Sequence, residues 1–136
     1  MNNSKELMSW YEGLSLNTLV DISKFYHKDC FFKDPFNELN GIENVRKIFV
    51  HMFEELHDPK FIFIDMIAED KQTFVTWDFK FQLKGEVHTI HGSSHLKWKN
   101  GLINYHRDYW DVGEEMLLKI PLVRSFYKIL VKKMSI

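Results

Sequence analysis

The stretch Val75-Thr76-Trp77-Asp78-Phe79-Lys80-Phe81-Gln82-Leu83 puts an apolar side chain on every odd position, with Thr76, Asp78, Lys80 and Gln82 between them. Successive side chains of a strand point to opposite faces, so this alternation predicts a β-strand with one face buried and one wet. Lys84-Gly85-Glu86 turns the chain, and the pattern resumes from Val87 to Trp98. There Ile90, Gly92, Ser94, Leu96 and Trp98 share one face, while Thr89, His91, Ser93, His95 and Lys97 share the other. Asn100-Gly101 is a hairpin dipeptide, since both residues tolerate the positive φ of a tight two-residue turn. It leads into a last strand from Leu102 to Asp111.

Upstream, Lys60–Ala68 reads as one more strand, closed by the turn Glu69-Asp70-Lys71. Before Asp58-Pro59 the period changes. Val45, Ile48, Phe49, Met52, Phe53 and Leu56 recur at helical spacing and predict a helix from Ile42 to His57. Leu7, Met8, Trp10, Tyr11 and Leu14 predict a short helix capped by Ser4. Leu19, Val20, Ile22, Phe25 and Tyr26 predict a second helix, starting at Asn17 or Thr18. Residues 30–34 are strand-like. Helices first and a meander of long strands afterwards is an α+β pattern, with the helices on one face of a curved sheet.

At 136 residues the chain is one domain, long enough to bury roughly two-thirds of its unfolded surface. Its 12 Phe, 5 Tyr and 4 Trp are many for this length. Aromatics fill a core quickly, and they also line pockets for flat apolar ligands. A formal net charge of −1 supplies no field for nucleic acid, so none is expected as a partner. The single cysteine, Cys30, excludes an internal disulfide, suits a reducing cytoplasm and reads as core rather than nucleophile. Met1 to Glu6 shows no basic region followed by an apolar run, so no signal peptide is expected, and no run of about 18 apolar residues predicts a membrane span. The expected location is cytoplasmic.

Chemistry concentrates in two places. In Phe31-Phe32-Lys33-Asp34-Pro35-Phe36 a carboxylate stands among phenylalanines, where desolvation disfavours its charged form. The bland alternative is a turn aspartate that caps nearby backbone amides. In Tyr105-His106-Arg107-Asp108-Tyr109-Trp110-Asp111, strand parity groups Asn104, His106, Asp108 and Trp110 on one face. Polar groups facing a core without a cavity would be left unsatisfied, so this face predicts a cavity; the rival is an ion-pair ladder on the outer face. Arg107 then lies on the surface, and Asp111 anchors the strand end. His91 and His95 would sit about 13 Å apart on a strand, and His88 on the opposite face, so no metal site is predicted. Phosphate loops, serine-hydrolase elbows and cysteine clusters are absent from the sequence, and no cofactor is predicted.

These two segments, in this order of elements, resemble the nuclear transport factor 2-like or SnoaL-like superfamily, over about residues 4 to 111. That superfamily includes ketosteroid isomerase, limonene epoxide hydrolase and small polyketide cyclases. The segment around Asp34 is similar to the isomerase segment carrying its general-base aspartate. The run Arg107-Asp108-Tyr109-Trp110-Asp111 is similar to the epoxide hydrolase strand that holds a catalytic aspartate, here Asp108. The resemblance implies a cone-shaped curved sheet, mixed or antiparallel, wrapped on N-terminal helices (the cystatin-like α+β barrel), and a homodimer through the sheet face. It also implies departures. The isomerase's tyrosine position falls on Trp10 and its aspartic-acid position on Ser94, while the hydrolase's Arg-x-Asp meets only Thr76-Trp77-Asp78.

Residues 119–136 form a separate piece beyond the domain of 1–118. Lys119, Arg124, Lys128, Lys132 and Lys133 alternate with Ile120, Leu122, Val123, Phe126, Ile129, Leu130, Val131 and Met134, with no acid. A basic amphipathic helix of this kind caps the cone's open end, lies on an anionic membrane or packs on a partner.

Two functions remain open from the sequence. One is a cofactor-independent isomerase, cyclase or hydrolase acting on a small, largely apolar ligand. Its base is Asp34, its acid–base partners are Asp108 and His106, and Trp10, Tyr26 and Ser94 are the candidate donors. Phe32, Trp77, Phe79 and Trp110 complete the ligand site. The other is a non-catalytic binding or scaffold module. A shared cavity of a few hundred Å³ beside Asp34 and Asp108 would favour the first.

Overall fold

The computed structural model describes residues 3–119 and 121–136; the side chains of Pro121 and Leu122 lie outside the description, as does Ile120. Helix α1 (Ser4–Glu12) is followed by a 3₁₀ helix (Thr18–Lys24), strands β1 (Tyr26–Lys33) and β2 (Glu38–Asn40), and helix α2 (Ile42–Glu55). Strands β3 (His57–Ala68), β4 (Gln72–Leu83), β5 (Glu86–Lys99) and β6 (Leu102–Tyr109) come next, then α3 (Val112–Glu115) and α4 (Pro121–Met134). The six strands form one curved, unclosed sheet in the order β2-β1-β6-β5-β4-β3, with α1 and α2 packed on its concave face. This is the α+β arrangement that the sequence pattern predicts, with the cone-like curvature that the resemblance implies.

The alternation in β4 holds: Val75 and Trp77 are buried, and Asp78 on the wet face hydrogen-bonds His91. Both expected hairpins form on residue pairs with positive φ, Lys84-Gly85 and Asn100-Gly101. The sheet is mixed rather than a pure meander, because β1 runs parallel to β6.

Four local expectations need correction. Ser4 does not cap α1; it is the first helical residue, and its hydroxyl hydrogen-bonds Thr73 Oγ1 at 2.7 Å. The second helix is 3₁₀, whose three-residue period aligns Leu19 and Ile22 inward and leaves Val20 exposed, and Tyr26 belongs to β1. Helix α2 ends at Glu55, because Leu56 is already extended and Asp58 adopts a φ of 49°. Most consequential is a bulge in β6. Trp98 pairs Ile103 and Lys97 pairs Tyr105, so Asn104 is an extra residue. It resets the parity, and Ile103, His106 and Asp108 all sit opposite the inward residues Trp98, Leu96 and Ser94.

Candidate active site

The concave sheet and α2 enclose a cavity of about 380 Å³. Phe61 and Phe63 of β3, Trp77, Phe79 and Phe81 of β4, and Ile48, Phe49 and Met52 of α2 supply most of its walls. Gly92 makes room for one of them: a Cβ there would lie 2.5 Å from the Trp77 ring. Such walls suit a flat, largely apolar molecule.

His51 and Glu55 of α2 border the cavity on one side, and a connected set of polar groups lies on the wall where β5 and β6 pair. The Trp77 indole N–H donates to Ser94 Oγ at 2.8 Å, and the Ser94 hydroxyl donates to Asp108 Oδ1 at 2.5 Å. His106 Nε2 meets the same oxygen at 2.6 Å, and its Nδ1 lies 2.7 Å from the Tyr26 hydroxyl, which bonds in turn to the Tyr11 hydroxyl. One proton arrangement satisfies all six groups. With Asp108 ionised and His106 neutral, Nε2–H donates to the carboxylate, Nδ1 accepts from Tyr26, and Tyr26 accepts from Tyr11. Burial pushes both phenols well above their usual range, the Tyr11 neighbour adding to the shift of Tyr26, so each stays a proton carrier rather than an anion. Asp108 Oδ2 has no partner among the described residues.

Asp34 borders the same cavity but is occupied differently. Its Oδ1 accepts from the backbone amides of Phe36 and Asn37 at 2.8 and 2.7 Å, and the Asn37 side-chain amide reaches both oxygens. It is the cap of its own turn. Phe36, expected to shield it, is 62% exposed and edges onto Trp110.

Asp34, His106, Asp108, Phe32, Trp77, Phe79, Ser94 and Trp110 therefore all border the cavity. Tyr26 stands one layer back, between Tyr11 and His106. Trp10 is elsewhere: its indole donates to the Thr18 carbonyl at 3.0 Å and its ring packs on Phe25. The α1 side chains that border the cavity are Met8 and the neighbouring Tyr11, neither of which was among the expected site residues. The signal was present, since Leu7, Met8 and Tyr11 recur at three- and four-residue steps and Trp10 falls off that stripe.

The histidines of β5 serve other ends. His88 stacks on Phe81, His91 bonds Asp78, and His95 bonds Gln72 while stacking on Phe74. Asp111 caps α3 through the Glu114 amide at 3.1 Å. Cys30 is fully buried and its thiol is pushed up to about 11 by that burial, as expected of a core cysteine.

Residues 8–106 match the SnoaL-like domain family. The chain belongs to that family. No curated protein matches it in sequence. Among solved structures, this SnoaL-like protein is similar to a nuclear transport factor 2-like protein of unknown function from Burkholderia pseudomallei. The two are 15% identical, with a TM-score of 0.74 over 88% of this chain and 97% of that one. It is also similar to a protein described as a SnoaL-like polyketide cyclase from Jannaschia (11% identity, TM-score 0.72, 84% and 88% of the two chains). A third match is a Mycobacterium tuberculosis epoxide hydrolase (11%, 0.71, 92% and 89%). At these identities the likeness establishes the nuclear transport factor 2-like fold alone.

Proposed function

We propose that this SnoaL-like protein binds a small, largely apolar ligand in its aromatic cavity and moves a proton on it without a cofactor. The observation that carries this reading is the open oxygen of Asp108. A chain of six hydrogen-bonded groups runs along one wall of a largely apolar cavity, and Oδ2 is the acceptor it leaves unused. That Asp34 and Asp108 border one cavity also favours an enzyme over a filled scaffold.

Asp108 is the proposed base. Its Oδ2 takes a proton from carbon next to a ligand carbonyl, and the electron pair moves onto the carbonyl oxygen. Ser94 and His106 hold Oδ1 throughout, fixing the carboxylate's orientation. Tyr11, kept neutral by burial, turns its hydroxyl from Tyr26 into the cavity and hydrogen-bonds the developing oxyanion. Returning the proton to another carbon gives an isomerase, bond formation from the enolate a cyclase, and the same base acting on water a hydrolase.

The test is solvent-deuterium exchange of 2-tetralone, a neutral bicyclic ketone with acidic C–H bonds, followed by NMR. Exchange well above that in matched buffer, lost in Asp108→Asn, supports the reading. Binding without exchange would make the protein a ligand-binding module instead.

The outer sheet face is the proposed homodimer surface. Phe74 and Tyr109 are about half exposed there, Lys97 lies over Tyr105, and Arg107 lies over Tyr109. Sedimentation at micromolar concentration is expected to give a dimer; a monomer would refute it.

A further inference from the structure

The C-terminal helix is built unlike the rest of the molecule. In α4, Phe126, Ile129, Leu130 and Met134 recur at three- and four-residue steps and are exposed, Phe126 by 77% and Met134 by 80%. Arg124, Lys128 and Lys132 recur at four-residue steps along a flank of that stripe, Lys132 about 60° around the helix from Ile129. The exposed apolar side chains do not close the cone. Tyr127 does reach back, and its ring lies so close to Gly113 that a Cβ there would come within 2.3 Å. Lys119 Nζ donates to the Thr89 carbonyl at 3.3 Å, and Met116, just upstream, borders the cavity.

Charge is divided along the same line. Of 18 basic residues, five lie after Glu115, where the sequence has no acid; the remaining 13 stand against 19 acidic residues. The tail is thus formally +5 and the body −6. Packing two such helices face to face would gather like charges, whereas an anionic surface meets both the apolar stripe and its basic flank. At about 1.5 Å per residue, 14 residues reach about 21 Å, short of a hydrocarbon core of about 30 Å. No helix among the described residues is long and apolar enough to cross a membrane.

We infer that α4 docks the protein on an anionic membrane surface, lying in the interface plane with Phe126, Ile129, Leu130 and Met134 inserted at the headgroup boundary. Lys128 and Lys132 contact lipid phosphates, and the acidic body is held away from the surface. The inference stands whether or not the cavity is catalytic.

Flotation of the full chain tests it, using phosphatidylcholine vesicles with and without phosphatidylserine. The chain is expected to float with the anionic vesicles, at least tenfold more than with neutral ones, and to be released by 0.5 M salt. Lys128→Gln with Lys132→Gln should weaken binding about 30-fold, the effect of two surface lysines. Phe126→Asp with Leu130→Asp should abolish it, with an unchanged near-ultraviolet spectrum reporting an intact body. Failure to float with anionic vesicles, or equal binding to both kinds, overturns the inference. So does sedimentation in which the Phe126→Asp, Leu130→Asp pair dissociates an oligomer while wild type binds no vesicle, which would assign the face to a second copy.

Discussion

Asp34 and Asp108 border one cavity, and their hydrogen-bond surroundings differ. Asp34 sits at a strand end before Pro35 and accepts hydrogen bonds on both oxygens from its own turn. Asp108 sits in mid-sheet, where Ser94 and His106 hold Oδ1 and leave Oδ2 open. A carboxylate engaged by amides on both oxygens stiffens the backbone; one held by a single oxygen can bind a proton or a ligand with the other. On the proposed reading, sharing a cavity is therefore not sharing a role.

The largest effect expected is kinetic. Asp108→Asn should lower 2-tetralone exchange about 10²- to 10⁴-fold, the usual contribution of a positioned base, while Asp34→Asn should change it less than tenfold. A reversed ranking would move the base to Asp34 and break the contrast. The next effect is structural: Asp34→Ala leaves the Phe36 and Asn37 amides without their acceptor, and denaturant unfolding should show a loss of about 1–3 kcal/mol. If the mutant is as stable as wild type, the turn does not need its cap. Of similar size, Gly92→Ala should cost about 1–3 kcal/mol by driving a methyl into Trp77, and should loosen the Trp77–Ser94 bond that steadies Asp108.

A smaller effect comes from the outer face. His95 has its pKa lowered by burial first and by Lys97 second. The folded state thus binds this proton less readily than the unfolded chain. Its contribution is fully present above the unfolded value of about 6.5 and is lost as pH falls below it. Thermal melts should drop between pH 7.5 and 5, with a shallower slope in His95→Gln; equal slopes would remove His95 from the explanation.

The sheet and α2 were legible because each buries one face, and a period of two or of 3.6 records that burial directly. His106 and Asp108 could be placed together on an inward face because their spacing survives the bulge. The bulge itself could not be read: Asn104 looks like a regular strand residue, and its extra place is set by how β6 meets β5. Trp10 and Tyr11 are adjacent aromatics, so a family tyrosine carried over by counting can land one residue off, about 100° around the helix. The burial of Tyr26 between Tyr11 and His106 is a tertiary fact, as Tyr26 reads equally well as the end of a helix. The double use of Asp34 as a turn cap was open in the sequence, since Asp-Pro is a turn signal as much as a pocket signal.

The contrast between the two aspartates is tested most directly by the fluorescence of bound 2-naphthol, a photoacid that emits as naphtholate when a neighbouring base takes its proton. Titrated into wild type, it should bind and show naphtholate emission. Asp108→Asn should keep the binding and lose that emission, and Asp34→Asn should keep both. Naphtholate emission that survives Asp108→Asn and vanishes in Asp34→Asn would contradict the account.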